Sequence, residues 1–187
     1  RVENYVTAED GTIKIQGLED EIEYTLQETK ATKGYVSNSE IYKFVVHYQD
    51  EIYNLEMLEG NFAQVVGEED QITCTIGNDP TLKVIKQGEF GELLPNAKFT
   101  ITDEEGNPVV DGNGNEVGQI ENIDGQDLRV VTTDENGQIA ENLEPGTYIL
   151  TEVQAPTGYK LPENEEDRKT TIEITSEGYT GHTIEKA

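Results

Sequence analysis

The sequence predicts an all-β protein built as two tandem β-sandwiches. Three observations carry that expectation: short runs of alternating apolar and polar residues, turn residues between them at close intervals, and a long internal repeat. The runs are Ile72–Ile76, Leu82–Lys86, Ala97–Thr102, Leu128–Thr132, Thr147–Val153 and Thr170–Thr175. Gly, Asn, Asp and Pro punctuate the intervals, the pattern of a sandwich or barrel. Helical periodicity is nearly absent, and a short helix competes only around Ser37–Val45, against several good strand formers.

The repeat sets the organisation. Thr7-Ala8-Glu9-Asp10-Gly11-Thr12-Ile13 returns as Thr133-Asp134-Glu135-Asn136-Gly137-Gln138-Ile139, and Tyr24–Tyr35 returns as Tyr148–Tyr159. The offset drifts from 126 residues at Thr7/Thr133 to 124 at Tyr24/Tyr148, too long for a solenoid and suited to duplicated domains. Asn78-Asp79-Pro80 reads as the junction, giving domains 1–79 and 80–187. The repeated turn is preceded by residues 81–131 in the second copy but by six residues in the first. The first domain is therefore expected to be the back part of a sandwich, its opening strands removed or supplied by another chain or segment.

Composition narrows the function. Against 13 basic residues stand 39 acidic ones, a net charge of −26, which repels phosphate backbones and anionic lipid and argues against nucleic-acid and membrane partners. The single cysteine, Cys74, has no disulfide or CxxC partner and sits between Ile72 and Ile76 as a small apolar residue. No apolar run reaches the ~18 residues of a membrane span. The only histidines, His47 and His182, belong to no ligand cluster, and Asp111–Glu116 reads as a Gly-rich hairpin turn rather than a Ca²⁺ loop. No catalytic triad, phosphate loop or zinc spacing is present, so neither enzyme nor cofactor is expected, and no metal.

Strand parity singles out three polar residues. Side chains two apart share a face. Tyr24 and Leu26 place Glu28 on the apolar side, Leu82 and Val84 place Lys86 there, and Ile72, Cys74 and Ile76 place Asn78 there. Glu152 is the repeat counterpart of Glu28, on a strand whose other face is also partly apolar through Ile149 and Val153. Burial disfavours the charged form of a carboxyl or an amine. A neutral lysine amine can attack an asparagine side-chain carbonyl while a carboxylic acid polarises it and relays protons to departing ammonia. A solvated strand end or an ordinary ion pair explains the same parity, and parity alone does not separate the readings.

The run Asn142-Leu143-Glu144-Pro145-Gly146-Thr147-Tyr148-Ile149-Leu150-Thr151-Glu152-Val153-Gln154-Ala155-Pro156-Thr157-Gly158-Tyr159 closely resembles the signature of the Cna protein B-type (SpaA-like) domain. Leu93-Leu94-Pro95-Asn96-Ala97-Lys98-Phe99 resembles that family's Leu-Pro-Gly-Ala-x-Phe segment, with Asn in place of Gly. The resemblance covers 81–187 as one domain and 1–79 as the back of another. It implies transthyretin-like or inverse-immunoglobulin sandwiches in a stalk or pilin of a Gram-positive bacterium, secreted to the cell wall beside neighbouring domains of the same surface protein. It also implies Lys–Asn isopeptide bonds, with Glu28 and Glu152 as promoting acids, Lys86 as the lysine and Asn78 as the asparagine. Two departures follow. The first domain has no lysine strand of its own, and the second carries Lys186 where the first has Asn78, so the second is expected to lack the bond. Competing readings are an adhesin module for a host ligand and an accessory domain of a secreted polysaccharide-degrading enzyme. Leu161-Pro162-Glu163-Asn164 resembles a sorting signal only superficially and reads as a loop.

Overall fold

The structure, a computed structural model, describes residues 2–49, 52–66, 71–175 and 179–185. Thirteen strands and one short 3₁₀ turn account for its regular elements. The chain divides into two compact units, the first comprising 1–28 and 39–77, the second 29–38 and 78–187.

In the first unit, β1 (Glu23–Gln27), β2 (Ile41–Gln49) and β3 (Ile52–Glu59) form an antiparallel sheet in that order, and β4 (Ala63–Val66) pairs with β5 (Ile72–Thr75). Residues 41–45, where a helix competed, are strand. The run Tyr42-x-Phe44-x-Val46 buries every second side chain, so a period of two wins over 3.6. Tyr42, Phe44, Val46 and Phe62 make the core, with Tyr24, Leu26, Leu55, Met57 and Cys74 packed against it. Rings at 5.3–6.1 Å tie Tyr24, Phe44, Phe62 and Tyr42 together.

The second unit is a two-sheet sandwich. One sheet has the order β10 (Gln138–Glu141), β6 (Leu82–Gln87), β13 (Tyr179–Glu185). The other runs β12 (Lys169–Ile174), β11 (Gly146–Gln154), β7 (Lys98–Thr102), β9 (Gln126–Thr132), β8 (Gln119–Ile123). Leu82, Val84, Ile139 and Ile184 from the first sheet meet Phe99, Ile101, Val131, Leu150, Ile172 and Ile174 from the second in one core. At about 1.5–3 kcal/mol for each fully buried large apolar side chain, this core dominates the stability of the unit. The first and last strands, β6 and β13, are neighbours and run parallel, Ile184 opposite Lys86.

One turn recurs. At Ala8–Thr12, Gly88–Glu92, Asp103–Asn107, Asp111–Asn115 and Asp134–Gln138, the first N–H reaches the fifth carbonyl and the fourth N–H returns to the first carbonyl. The fourth residue is always glycine, with φ between 68° and 85°, the left-handed position that only glycine adopts without strain. Asp111–Asn115 is thus a hairpin turn, its Asp111 carboxylate accepting from the Asn113 and Asn115 amides. Leu161–Asn164 leads into the 3₁₀ turn Glu165–Arg168, where the Asn164 side chain accepts from the Glu166 amide.

The repeat is structural as well as sequential. The Ala8 and Asp134 turns share their bonds, and the Tyr35 amide reaches Thr32 O as the Tyr159 amide reaches Pro156 O. The Tyr24 hydroxyl accepts from the Glu19 amide, while that of Tyr148 donates to Glu144 O.

Candidate functional site

Lys86 ends the alternation Leu82-x-Val84-x-Lys86, every second side chain of which is buried. Its backbone is held on both sides. The Lys86 amide donates to Gly137 O at 2.8 Å, and its carbonyl accepts from the Leu94 amide at 3.0 Å. Gly137 makes that approach possible, because a Cβ there would stand 2.8 Å from Lys86 O and 2.9 Å from Leu94 N. From the facing sheet, β11 presents Leu150 and Glu152 inward, Glu152 lying opposite Phe99 where the β11–β7 register shifts. Such bulges re-aim side chains.

The outcome is a dry ion pair between the sheets. Lys86 Nζ donates to Glu152 Oε2 at 3.1 Å, and the residues are 1% and 4% exposed. Ile184 on β13 closes the side next to Lys86. Burying two charges is costly unless they pair with good geometry. The contact sets a potential nucleophile directly beside a potential acid or base.

The other two predicted residues lie elsewhere. Glu28 follows β1 in the first unit, half-buried on the side of Tyr24 and Leu26. Asn78 groups with the second unit, half-buried, and its Nδ2 donates to Val36 O at 3.0 Å. The strand from Leu82 to Lys86 alone spans about 13 Å, so Asn78 and Lys86 sit at opposite ends of β6. Lys186 lies outside the described residues.

Two features escape a reading of the sequence. His47 on β2 bonds Glu21 through Nδ1 and Glu56 through Nε2, both at 2.8 Å, across the loop before β1 and the neighbouring β3. Asp20 completes a group with Glu21 and His47, the one set of potential metal-binding side chains among the described residues. Both imidazole nitrogens face carboxylates as donors, however, and the Asp20 carboxylate accepts from the Tyr48 amide, so the arrangement is that of a protonated clamp. Glu21 first and Glu56 second raise the His47 pKa above its ordinary value of 6.5. A raised pKa stabilises the folded state below the unfolded value and loses that contribution as pH rises through the folded one. The first unit is therefore expected to unfold at lower denaturant concentration at pH 8 than at pH 6. His47→Gln removes that difference; an unchanged pH dependence in the variant would rule the clamp out.

The second feature is an acidic groove beside β8, β9 and β10, lined by Asp111, Glu116, Glu121 and Glu141 over Val117 and Ile139. Arg129 pairs with Glu116 and Lys98 with Glu121. Burial, then Asp111, raises the Glu141 pKa. Cys74 is half-buried, and burial raises its thiol pKa, which lowers its thiolate fraction. Among the described residues no helix is long and apolar enough to cross a membrane.

Comparison with known proteins places the chain in a family. No curated protein matches the chain. A C-terminal fragment of the major pilin GBS80 of Streptococcus agalactiae is 16% identical, with a TM-score of 0.44, over 84% of this chain and 56% of that one. The minor pilin GBS52 of the same organism is 16% identical (TM-score 0.41; 90% and 83% covered), and the shaft pilin spaA of Lactobacillus rhamnosus GG is 18% identical (TM-score 0.40; 87% and 67% covered). This chain thus spans little more than half of the first of these structures. The family described as SpaA, prealbumin-like fold domain, matches residues 1–61 and 80–186, most of the chain and both copies of the repeat, and the chain belongs to it.

Proposed function

We propose that this chain is a load-bearing structural module, of stalk or pilin type, of a Gram-positive cell-surface protein, and not an enzyme. The observation that carries the reading is the parallel pairing of β6 with β13, the first and last strands of the second unit. Tension entering at the start of β6 and leaving at the end of β13 slides the two strands past each other. All their hydrogen bonds are then loaded together instead of one after another. The acidic surface and the absence of any disulfide partner for Cys74 suit an exported stalk that relies on its backbone network. Force spectroscopy along this axis is the test.

Lys86 and Glu152 lie at the far end of this same strand pair, where a covalent tie to the last strand would do most against sliding. Such a tie forms when Lys86 Nζ bonds the Cγ of an asparagine, the Cγ–Nδ2 bond breaks, and ammonia leaves. The second unit runs without it in our reading, because its repeat position for that asparagine is Lys186. In the first copy of the sequence repeat, Glu28 is assigned the promoting role and Asn78 the accepting one, toward a lysine from a completing segment. Intact-mass spectrometry with peptide mapping checks this. The expected mass is that of the unmodified sequence, and loss of one ammonia with a branched peptide at Lys86 would refute the assignment.

A further inference from the structure

A strap from the first repeat, Thr29–Asn38, is folded into the second unit: the chain enters that unit at Thr29, leaves it at Ser39 and re-enters at Asn78. The strap's centre is held against the lead-in to β6. Tyr35 bridges Pro80 antiparallel, the Val36 amide donates to Asp79 O at 2.9 Å, and the Thr81 amide donates to Gly34 O at 3.0 Å. Asn142, just after β10, donates through Nδ2 to the Tyr35 hydroxyl at 2.7 Å, and its carbonyl accepts from the Gly112 amide at 2.7 Å. Lys33 Nζ reaches Glu144 at 2.9 Å in an exposed pair, which orients more than it stabilises. Two glycines set the closeness of the fit. A Cβ at Gly34 would stand 2.4 Å from Asn142 O. The same turn at Gly158, with φ 92° against 82°, leaves open space around that position, so the tight approach at Gly34 comes from its surroundings and not from the turn. A Cβ at Gly112 would stand 2.2 Å from Lys33 O.

Gly112 carries the inference. It is the second residue of the recurring five-residue turn, and in the four sister turns that place holds Glu9, Glu89, Glu104 and Glu135. Its φ is not in the left-handed region, unlike that of Gly114 two residues on, so the turn itself does not ask for glycine at 112. The strap does, because any side chain would displace Lys33. We propose that Asp79, Thr81, Gly112 and Asn142 form a peptide socket on the second unit, and that its ligand is the Lys33-Gly34-Tyr35-Val36 segment of the preceding repeat. The socket reads backbone through the bonds flanking Pro80, excludes side chains at Gly34, and reads the tyrosine hydroxyl through Asn142. The first repeat is thereby clasped to the second unit noncovalently, in addition to the peptide link at Gly77–Asn78.

The full chain with a specific protease site inserted between Gly77 and Asn78 tests the socket. After cleavage the two fragments are expected to co-elute in size-exclusion chromatography, and a carbodiimide is expected to crosslink them at Lys33 and Glu144, read by peptide mass. Gly112→Ala sets a methyl group against Lys33 O without straining the turn. It is expected to weaken the cleaved pair by about 10²-fold and to abolish the crosslink. Fragments of the parent that separate on cleavage, or Gly112→Ala fragments that associate as tightly as the parent's, would overturn the proposal. Amide exchange on the uncut chain shows whether the variant acts locally: Val36 and Thr81 should exchange about 10-fold faster or more, with β6 and β11 protected as before. Should Gly112→Ala unfold the whole second unit, Tyr35→Ala decides from the strap's side. It is expected to loosen the cleaved pair in the same way with the second unit folded, and parent-like affinity in that variant would refute the socket.

Discussion

Replacing either Lys86 or Glu152 with alanine is expected to destabilise the second unit by about 3–5 kcal/mol, the cost of breaking a buried pair by removing one partner. Lys86→Ala leaves the Glu152 carboxylate in a dry space without the ammonium that it accepts from at 3.1 Å, and Glu152→Ala does the converse. The double variant Lys86→Met with Glu152→Leu fills similar volume without charge and is expected to recover most of that loss, because apolar replacements of buried pairs are often neutral. The contrast between single and double variants is what distinguishes a desolvated pair from a solvent-screened one, which would lose ~1 kcal/mol or less in each single variant. Urea denaturation followed by tyrosine fluorescence, in a chain without tryptophan, measures all three. Singles within ~1 kcal/mol of the parent would mean that water reaches the pair.

Lys86 was legible because Leu82 and Val84 leave no doubt about which face of β6 is apolar, and the structure buries all three. Glu152 was harder. Ile149 and Val153 give its strand a second apolar face, and the register shift that sets Glu152 opposite Phe99 depends on β7, a different part of the chain. The turn glycines were legible since their requirement is local. What eluded the sequence is non-local. The clamp on His47 joins residues 26 and 9 positions away, which only the β2–β3 register and the bond from the Glu21 amide to Val46 O bring together. Likewise 29–38 groups with the second unit through Thr81 N to Gly34 O and Asn142 Nδ2 to the Tyr35 hydroxyl, contacts spanning 47 and 107 positions. At 41–45 good β-formers also decided against a helix because alternate side chains found a core, which propensity cannot foresee.

The second large effect is mechanical. With handles at Pro80 and Ala187, tension runs from the start of β6 to the end of the chain beyond β13 and loads their parallel ladder in shear. With handles at Pro80 and Asn142, tension instead peels β10 from β6, because Glu141 lies opposite Leu82 and the bonds of an antiparallel pair pulled from one end part in sequence. Forced unfolding follows the height of the unfolding barrier under load, so the two directions probe different barriers of one fold. Single-molecule pulling in both geometries is the most direct test of a load-bearing role. The account predicts that the second unit yields at clearly higher force through Pro80 and Ala187 than through Pro80 and Asn142. Equal forces, or a lower force along the chain axis, would contradict it.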